Sequence, residues 1–480
     1  MRAKAALSAT AAALLAAGAV AGCGSVGVLP QLDKVEVPQP PPGAAPPIVG
    51  ADEQPLPPER RKAVLTRLEA ESGGSGGGAA DTLIGRHLAV EAAAAGTPLV
   101  AGNRVTLLHD GPMVFRAMMA AIRGARHHIN LEFFIVDPVG IGEEFAELLI
   151  EKRAEGVEIN LIYDAVGSKD TPEAYFGRLR AAGVRVLEFR PLNPLNVDDI
   201  ADWNPNDRDH RKIVIVDGRT AFTGGVNLSA SYGDRTTNKP GPRKEPGPVP
   251  GVPWRDTCVR IEGPAVAEFQ KTFLAQWRAH GGEELPDARF FPKLPMQGDA
   301  VVHVIATEGT DGPPAFYETL LSAIASATRR INLTEAYFAP PPAEIEALAA
   351  AARRGVKVRI VLPKITDQPK VVYASRTNYQ TLLDAGVEIY ERRDVVLHAK
   401  TVSIDGVWSS VGSANLDYRS ILFNDEDIAV VLGREFGDAM AALFEEDVAR
   451  SDRIDPERWA ERPFGDRIKE WVARLIQYWL

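Results

Sequence analysis

Beyond residue 100 the apolar positions fall into two alternating periods. Residues 144–154 carry apolar side chains at helical spacing, whereas Gly156-Val157-Glu158-Ile159-Asn160-Leu161-Ile162 alternates in the manner of a strand. A helix feeding a strand in this way predicts a β-α-β unit and a layered α/β architecture. The pattern then recurs. Ala121-Ile122 through Ile129-Asn130-Leu131-Glu132 matches Ala323-Ile324 through Ile331-Asn332-Leu333. Residues 144–162 are matched by 344–353 with Gly355-Val356-Lys357-Val358-Arg359-Ile360-Val361, and Ala182-Gly183-Val184 by Ala385-Gly386-Val387. Units of roughly 200 residues mean domain duplication rather than a solenoid. The expected subdomains are residues 81–290 and 291–455.

The two ends are patterned differently. An apolar run over residues 5–21, rich in small side chains, follows a basic start (Arg2, Lys4) and ends in Val20-Ala21-Gly22-Cys23. It is short for a membrane span and suited to a peptidase, so residues 1–22 read as a removed export signal; an uncleaved anchor with an incidental Cys23 is the alternative. The segment resembles a bacterial lipoprotein signal with its lipobox. That resemblance implies lipidation at Cys23 and a lipid-anchored, periplasm-facing place in the bacterial cell envelope. With Gly24 rather than Asp next in line, it points to the outer membrane of a Gram-negative cell. Residues 23–80 read as a tether, with proline-dense sequence over 24–58, a short helix over 59–71 and a glycine-rich joint from Ser72 to Gly78. In residues 456–480, Ile468, Trp471, Val472, Leu475, Ile476 and Trp479 recur at helical spacing. The expectation is an amphipathic helix docked by its apolar face on the protein's own core, with membrane contact the second reading.

Composition narrows the function classes. A chain of 480 residues with 45% hydrophobic and 25% charged residues is neither collagen-like, wholly disordered nor a multi-span membrane protein. A net charge of −10 argues against a generic nucleic-acid binder, since such binding rests on Lys and Arg neutralising phosphates. Cys23 and Cys258 are the two cysteines, which excludes a disulfide framework and a cysteine zinc site. Cys258, in Thr257-Cys258-Val259-Arg260-Ile261, reads as a small buried hydrophobe.

The chemistry lies in a polar pattern carried by both halves. The first has His210-Arg211-Lys212-Ile213-Val214-Ile215-Val216-Asp217 and then Gly224-Gly225-Val226-Asn227. The second has His398-Ala399-Lys400-Thr401-Val402-Ser403-Ile404-Asp405 and then Gly412-Ser413-Ala414-Asn415. With Lys and Asp at about 5% each, eight histidines give roughly 0.02 chance matches to His-x-Lys-x4-Asp, so two in register with a duplication are not accidental. Two positions apart on a strand, His and Lys share one face. Lysine can neutralise phosphate oxygens, the glycines with Ser413, Asn227 and Asn415 admit close approach and add donors, and the imidazole can act as nucleophile or as acid and base. Asp217 and Asp405, at strand ends beside Gly218 and Gly406, suit bracing more than reaction. Glu132 stands at a strand end, with Glu335 its possible counterpart; cleft lining and core-edge placement are both open.

These paired motifs resemble those of the phospholipase D superfamily. Tyr163-Asp164-Ala165-Val166-Gly167-Ser168, Trp254-Arg255-Asp256 and Gly412-Ser413-Ala414-Asn415-Leu416-Asp417-Tyr418-Arg419-Ser420 with Asn424 and Glu426 resemble its bacterial cardiolipin synthase branch. The resemblance spans about residues 100–450. It implies two phospholipase D-like α/β subdomains, each a mixed β-sheet flanked by helices, related by a pseudo-two-fold axis. The implied catalytic set is His210, Lys212, Asp217, His398, Lys400 and Asp405. A downstream carboxylate orients each histidine in that superfamily; Glu426 occupies that place in half two, and the repeat aligns Asp256 with it in half one. The implied activity is phosphatidyl transfer between phosphatidylglycerol and a second phospholipid through a phosphatidyl-histidine on His210, with His398 as acid and then base. Phospholipase D hydrolysis, an exported phosphodiesterase or nuclease, and a non-catalytic lipid-binding envelope protein are the alternatives. No cofactor is implied, and ammonium groups beside each histidine disfavour a metal ion. Both motifs in one chain suit a monomer. Residues 233–253, rich in Pro and Gly, form an insertion that reads as a lid or as a surface excursion.

Overall fold

The computed structural model describes residues 47–51, 53–73, 83–193, 204–233, 252–286, 289–309 and 314–479. Residues 1–22, expected from the sequence to be an export signal, Cys23 and most of the 233–253 insertion lie outside the described residues. Two helices precede the repeat, α1 (Pro58–Glu71) and α2 (Leu83–Ala95). The sequence assigns residues 23–80 to the tether. Instead Ile48 and Val49 pair in parallel with Leu99 and Val100, and Leu68 of α1 is fully buried in the core. The chain from Ile48 to Glu71 thus belongs to the fold, because its few apolar residues find a sheet edge and a helix to cover.

Half one runs β1 (Leu99–Leu108), α3 (Gly111–Arg123), β2 (His128–Phe133), α4 (Ile141–Ala154), β3 (Glu158–Asp164), α5 (Glu173–Ala181), β4 (Arg185–Phe189), β5 (Lys212–Val216), β6 (Thr220–Gly224), β7 (Cys258–Glu262) and α6 (Val266–Ala279). Half two repeats the order as β8 (Ala300–Thr307), α7 (Ala315–Ser326), β9 (Arg330–Glu335), α8 (Pro342–Arg353), β10 (Lys357–Ile365), α9 (Pro369–Arg376), α10 (Tyr379–Asp384), β11 (Glu388–Leu397), β12 (Lys400–Ile404), β13 (Trp408–Gly412), α11 (Tyr418–Leu422), β14 (Asn424–Leu432) and α12 (Arg434–Ala449). Two further helices follow, α13 (Pro456–Ala460) and α14 (Phe464–Ile476).

The strands of half one lie in the order β4-β3-β2-β5-β6-β7-β1, with β4, β3 and β2 parallel and the rest antiparallel. Half two has the same arrangement in β11-β10-β9-β12-β13-β14-β8. Central strands read as apolar runs because helices cover them. The halves meet at an antiparallel β1–β8 contact. Leu99 to Asn103 pairs with β8, with a register shift at Gly102 between Ala101 and Asn103, and Arg104 to Leu108 pairs with β7. Strand β1 therefore serves both sheets. One apolar cluster lies within each half, around Phe133 and Leu161 and around Leu333 and Ile360. A third joins Ile213, Val259 and Phe273 of half one to Val302, Val411 and Val431 of half two. The expectation of two similar subdomains holds, and they share a core. Cys258 is buried in β7, as its setting suggests.

The Asp of each motif closes a hairpin. Asp217 and Gly218, between β5 and β6, have φ of 54° and 61°; Asp405 and Gly406, between β12 and β13, have 53° and 70°. Consecutive left-handed residues are the Asp-Gly signature of a tight hairpin turn. The Asp217 carboxylate accepts backbone N–H groups from Arg126, His127 and His128 at 2.8–3.0 Å. Asp405 likewise accepts those of Thr328, Arg329 and Arg330 at 2.8–2.9 Å, plus the Thr328 hydroxyl. A five-residue strand at about 3.3 Å per residue places each carboxylate some 20 Å from its motif histidine. Asp217 and Asp405 thus stand apart from the catalytic set that the resemblance implies, and they tie each hairpin to the neighbouring helix–strand loop.

The terminal helix departs from expectation. Ala473 and Glu470 of α14 are buried, but Phe464, Ile468, Trp471, Val472 and Leu475 are 74, 47, 61, 47 and 64% exposed. The apolar face points outward, because the small Ala473 packs into a cluster of other alanines, Ala339 and Ala374. Among the described residues no helix is long and apolar enough to cross a membrane.

Candidate active site

Each motif histidine sits just before a strand, where short parallel bridges cross between the halves. Arg208 and Asp209 pair with Asn424 and Asp425 at the start of β14, and the His210 N–H donates to the Asp425 carbonyl at 2.9 Å. In the mirrored arrangement Trp254 and Arg255 pair with Val396 and Leu397 at the end of β11, and the His398 N–H donates to the Arg255 carbonyl at 2.8 Å. The residue after each bridge is therefore set beside the histidine of the other half.

The carboxylates are accordingly exchanged. His210 Nδ1 lies 2.9 and 3.0 Å from the two carboxylate oxygens of Glu426, and His398 Nδ1 lies 2.7 Å from Asp256 Oδ2. Glu426 and Asp256 are fully buried. Along the chain Glu426 follows His398 and Asp256 follows His210; in space each serves the opposite half. An ionised carboxylate only accepts, so each Nδ1 carries the hydrogen and each Nε2 keeps its lone pair.

Electrostatics favour that state. Burial pushes the His210 imidazole down to about 4; the Lys212 and Lys400 ammonium groups add to the shift and Glu426 opposes it. Burial by itself would raise Glu426, but the charge and hydrogen bond of His210, the charge of Lys212 and the Ser413 hydroxyl hold it down at about 2. His398 is lowered by burial and then by Lys400, with Asp256 opposing. Burial lowers Lys212 to about 8, and the neighbouring Lys400 adds to this. Lys400 is lowered too, chiefly by burial. Lys212 Nζ donates to the His210 carbonyl and stands over the Phe134 ring, while Lys400 Nζ donates to the His398 carbonyl at 2.5 Å and stands over the Tyr337 ring. Two imidazoles poised neutral and two desolvated ammonium groups form one cluster, ready for an anion that supplies the missing negative charge.

The supporting residues divide. Ser413 donates to Glu426 at 2.5 Å and accepts the Asp427 N–H at 2.9 Å, so it braces the carboxylate of His210. At the equivalent position of half one, a Cβ on Gly225 would stand 2.2 Å from Asp256 Oδ1, which requires glycine there. Asn227 Oδ1 accepts the Ile135 N–H at 3.1 Å. The Asn415 N–H donates to Ser420 Oγ at 3.1 Å, and its side-chain oxygen is buried without a hydrogen-bond partner among the described residues.

Three participants escape a reading by motif. The Tyr232 hydroxyl lies 3.0 Å from His398 Nδ1, placed by a single 3₁₀ turn after Ser229. Its only advance signal is an aromatic shortly after the motif asparagine. Tyr337 packs edge-on against His398 and bonds Asp367 at 2.7 Å. Arg211, at the variable position of its motif, is buried 3.7 Å from Glu132 and donates to the Thr307 carbonyl at 2.7 Å. Burial raises Glu132 to about 7 despite Arg211. Glu335 is not the counterpart of Glu132. Glu132 pairs with Ile213, whereas Glu335 pairs with Lys400 and so matches Phe133, which pairs with Lys212. A one-residue offset on a strand puts the two glutamates on opposite faces.

Comparison with known proteins accords with this geometry. Residues 118–238 and 320–448 match the family described as cardiolipin synthase, PLD-like domain. The cardiolipin synthase of Geobacillus kaustophilus (strain HTA426) is 36% identical over 386 residues, covering 79% of this chain and 73% of that protein. Cardiolipin synthase A of Pseudomonas aeruginosa (strain LESB58) is 36% identical over 383 residues, covering 79% and 74%. The crystal structure of phosphatidylserine synthase from Haemophilus influenzae shares the fold, with a TM-score of 0.54 at 14% identity over 78% of this chain and 95% of that one.

Proposed function

The chain belongs to the phospholipase D-like cardiolipin synthase family and is a phosphatidyltransferase of that type; from this premise we propose that it joins phosphatidylglycerol to a second phospholipid through a phosphatidyl-histidine intermediate. The observation that carries the mechanism is the pair of crossed His–carboxylate contacts. Glu426 holds His210 as the neutral Nδ1–H tautomer, so Nε2 attacks the phosphorus of the donor. The P–O bond to the leaving glycerol breaks as the N–P bond forms. Once an anionic phosphodiester lies between Lys212 and Lys400, His398 regains its basicity and takes a proton from solvent on Nε2, and it delivers that proton to the leaving oxygen. The acceptor hydroxyl then gives its proton back to His398 and takes the phosphatidyl group from His210. Lys212, Lys400, Asn227 and Asn415 stabilise the equatorial oxygens. Asp256 and Glu426 orient the imidazoles, with Ser413 bracing the latter. Residues 81–290 and 291–455 are the two catalytic subdomains, sufficient together as a monomer. Cys23 carries the lipid anchor that keeps the enzyme at the periplasmic side of the envelope, on the outer membrane in a Gram-negative cell.

Vesicles containing labelled phosphatidylglycerol test the reading. Cardiolipin should form, and His210→Ala or His398→Ala should abolish it. An active enzyme that yields phosphatidic acid alone would instead establish hydrolysis, the same intermediate being captured by water.

A further inference from the structure

From the outward face of the terminal helix we infer that α14 is a membrane-docking element that seats the catalytic cleft on an anionic phospholipid surface. At 3.6 residues per turn, Phe464, Ile468, Trp471, Val472 and Leu475 fall within one stripe about 100° wide, and buried Ala473 lies about 160° from its centre. The stripe thus faces away from the protein. One flank is cationic. Arg467 and Arg474, both exposed, line it; at the other edge Lys469 is ion-paired with Asp466 at 3.0 Å, and Glu470 is buried and ion-paired with Arg462 at 2.8 Å. In a protein of net charge −10 this is a locally positive, apolar strip. A stripe of apolar residues that includes two aromatics, with arginines along one margin, suits an interface of acyl chains under anionic headgroups.

The location supports the same occupant. Ala473 packs on Ala339 and Ala374, and Ala339 lies two residues after Tyr337, whose ring meets His398. The turn after α14 places Tyr478 against Tyr418 and Phe423, in the segment that joins Asn415 to Glu426. The helix thus rests on the loops that frame the half-two histidine. A face that is apolar, basic and fixed to the rim of a phospholipid-handling site brings that site to its substrate. The inference rests on the proposed function in taking the substrate to be a membrane lipid; the basic margin selects an anionic one.

The test uses the full chain carrying Cys23→Ser, so that lipidation does not hold the protein on vesicles. The double substitution Trp471→Ser with Leu475→Ser alters two exposed side chains outside the catalytic set and leaves the fold unburdened. Binding to phosphatidylglycerol/phosphatidylethanolamine vesicles by co-flotation should fall at least about tenfold, and that of Arg467→Glu with Arg474→Glu by a similar factor, whereas Trp471→Phe retains it. Cardiolipin formation from those vesicles should fall in parallel, while turnover of short-chain phosphatidylglycerol, dispersed as monomers, stays within about twofold. Unchanged flotation of both double variants would overturn the inference, as would a concentration-dependent dimer, seen by sedimentation, that the serine variant abolishes. If vesicles bind as described yet neither substrate turns over, the docking surface stands and the proposed reaction fails.

Discussion

At the residue scale the chemistry depends on which proton sits where. With His210 at about 4 and Lys212 at about 8, the free enzyme holds a neutral nucleophile beside a charged lysine between those limits. His398, lowered by burial, must in addition gain the proton it delivers, so kcat/KM should fall as pH rises through the neutral range and fall more steeply above about 8, where Lys212 loses its proton; it should also decline below about 4, where His210 takes one. A kcat/KM profile on monomeric substrate checks both limbs; an acid limb near 6.5 would contradict the burial argument. Glu426→Gln keeps the shape but not the charge that fixes the tautomer, so cardiolipin formation should fall by about 10²–10⁴. Tyr232→Phe removes a single hydroxyl from His398 Nδ1, and a loss nearer tenfold in kcat, with KM little changed, is expected. Lys212 also opposes folding. Its value drops from 10.5 to about 8 on burial, so below pH 8 the folded protein carries a charged group at a cost of about 3 kcal/mol, relieved as pH rises from 8 towards 10.5. Lys212→Met should abolish transfer while raising the unfolding temperature by a few degrees, measurable by calorimetry.

Elements, rather than single residues, explain the third member of each motif. Asp217 and Asp405 close the β5–β6 and β12–β13 hairpins and collect three backbone N–H groups apiece. Asp217→Ala would strand those donors and leave alanine at a φ of 54°. The expected cost is about 2–4 kcal/mol, with kcat per folded molecule within about twofold of wild type; titration of active molecules alongside thermal unfolding separates the two effects. The spacing of each Asp from its histidine was legible as a strand with a turn at its end, and the adjacent glycine marked that turn. The repeated succession of helices and strands along both halves was likewise legible, since helical and alternating periods recur in the same sequence; the order of strands within each sheet was not. The outward face of α14 was not. A stripe of apolar residues at helical spacing has one appearance whether it meets a core or a membrane, and only the three-alanine cluster of Ala339, Ala374 and Ala473 reveals that the opposite face does the packing.

On the scale of the whole molecule, what pattern reading lacked was any signal for contacts between distant segments. His210 and Glu426 are 216 positions apart, and Asp256 and His398 are 142 apart. The repeat located the two histidines, the family resemblance pointed to Glu426, and the repeat aligned Asp256 with it. The repeat held no information that two-residue bridges would carry each carboxylate to the far side. Nor could alignment by eye resolve a one-residue offset, which is why Glu335 appeared to match Glu132. The acidic balance also acquires a location. Glu132, Asp209, Asp425 and Asp427 gather around buried Arg211 behind the cleft, while the lysines hold its front.

The crossed contacts bear on how the protein fails and how it changes. A slight rotation of one half against the other unseats both imidazoles together, so inactivation by mild heat should be all-or-none and should precede the loss of helix and sheet. Heredity meets the same constraint. Neither copy of the duplicated unit is free to drift towards a separate role, because a substitution that loosens one carboxylate disarms the histidine of its twin. Duplication, which ordinarily leaves a spare, has here left none.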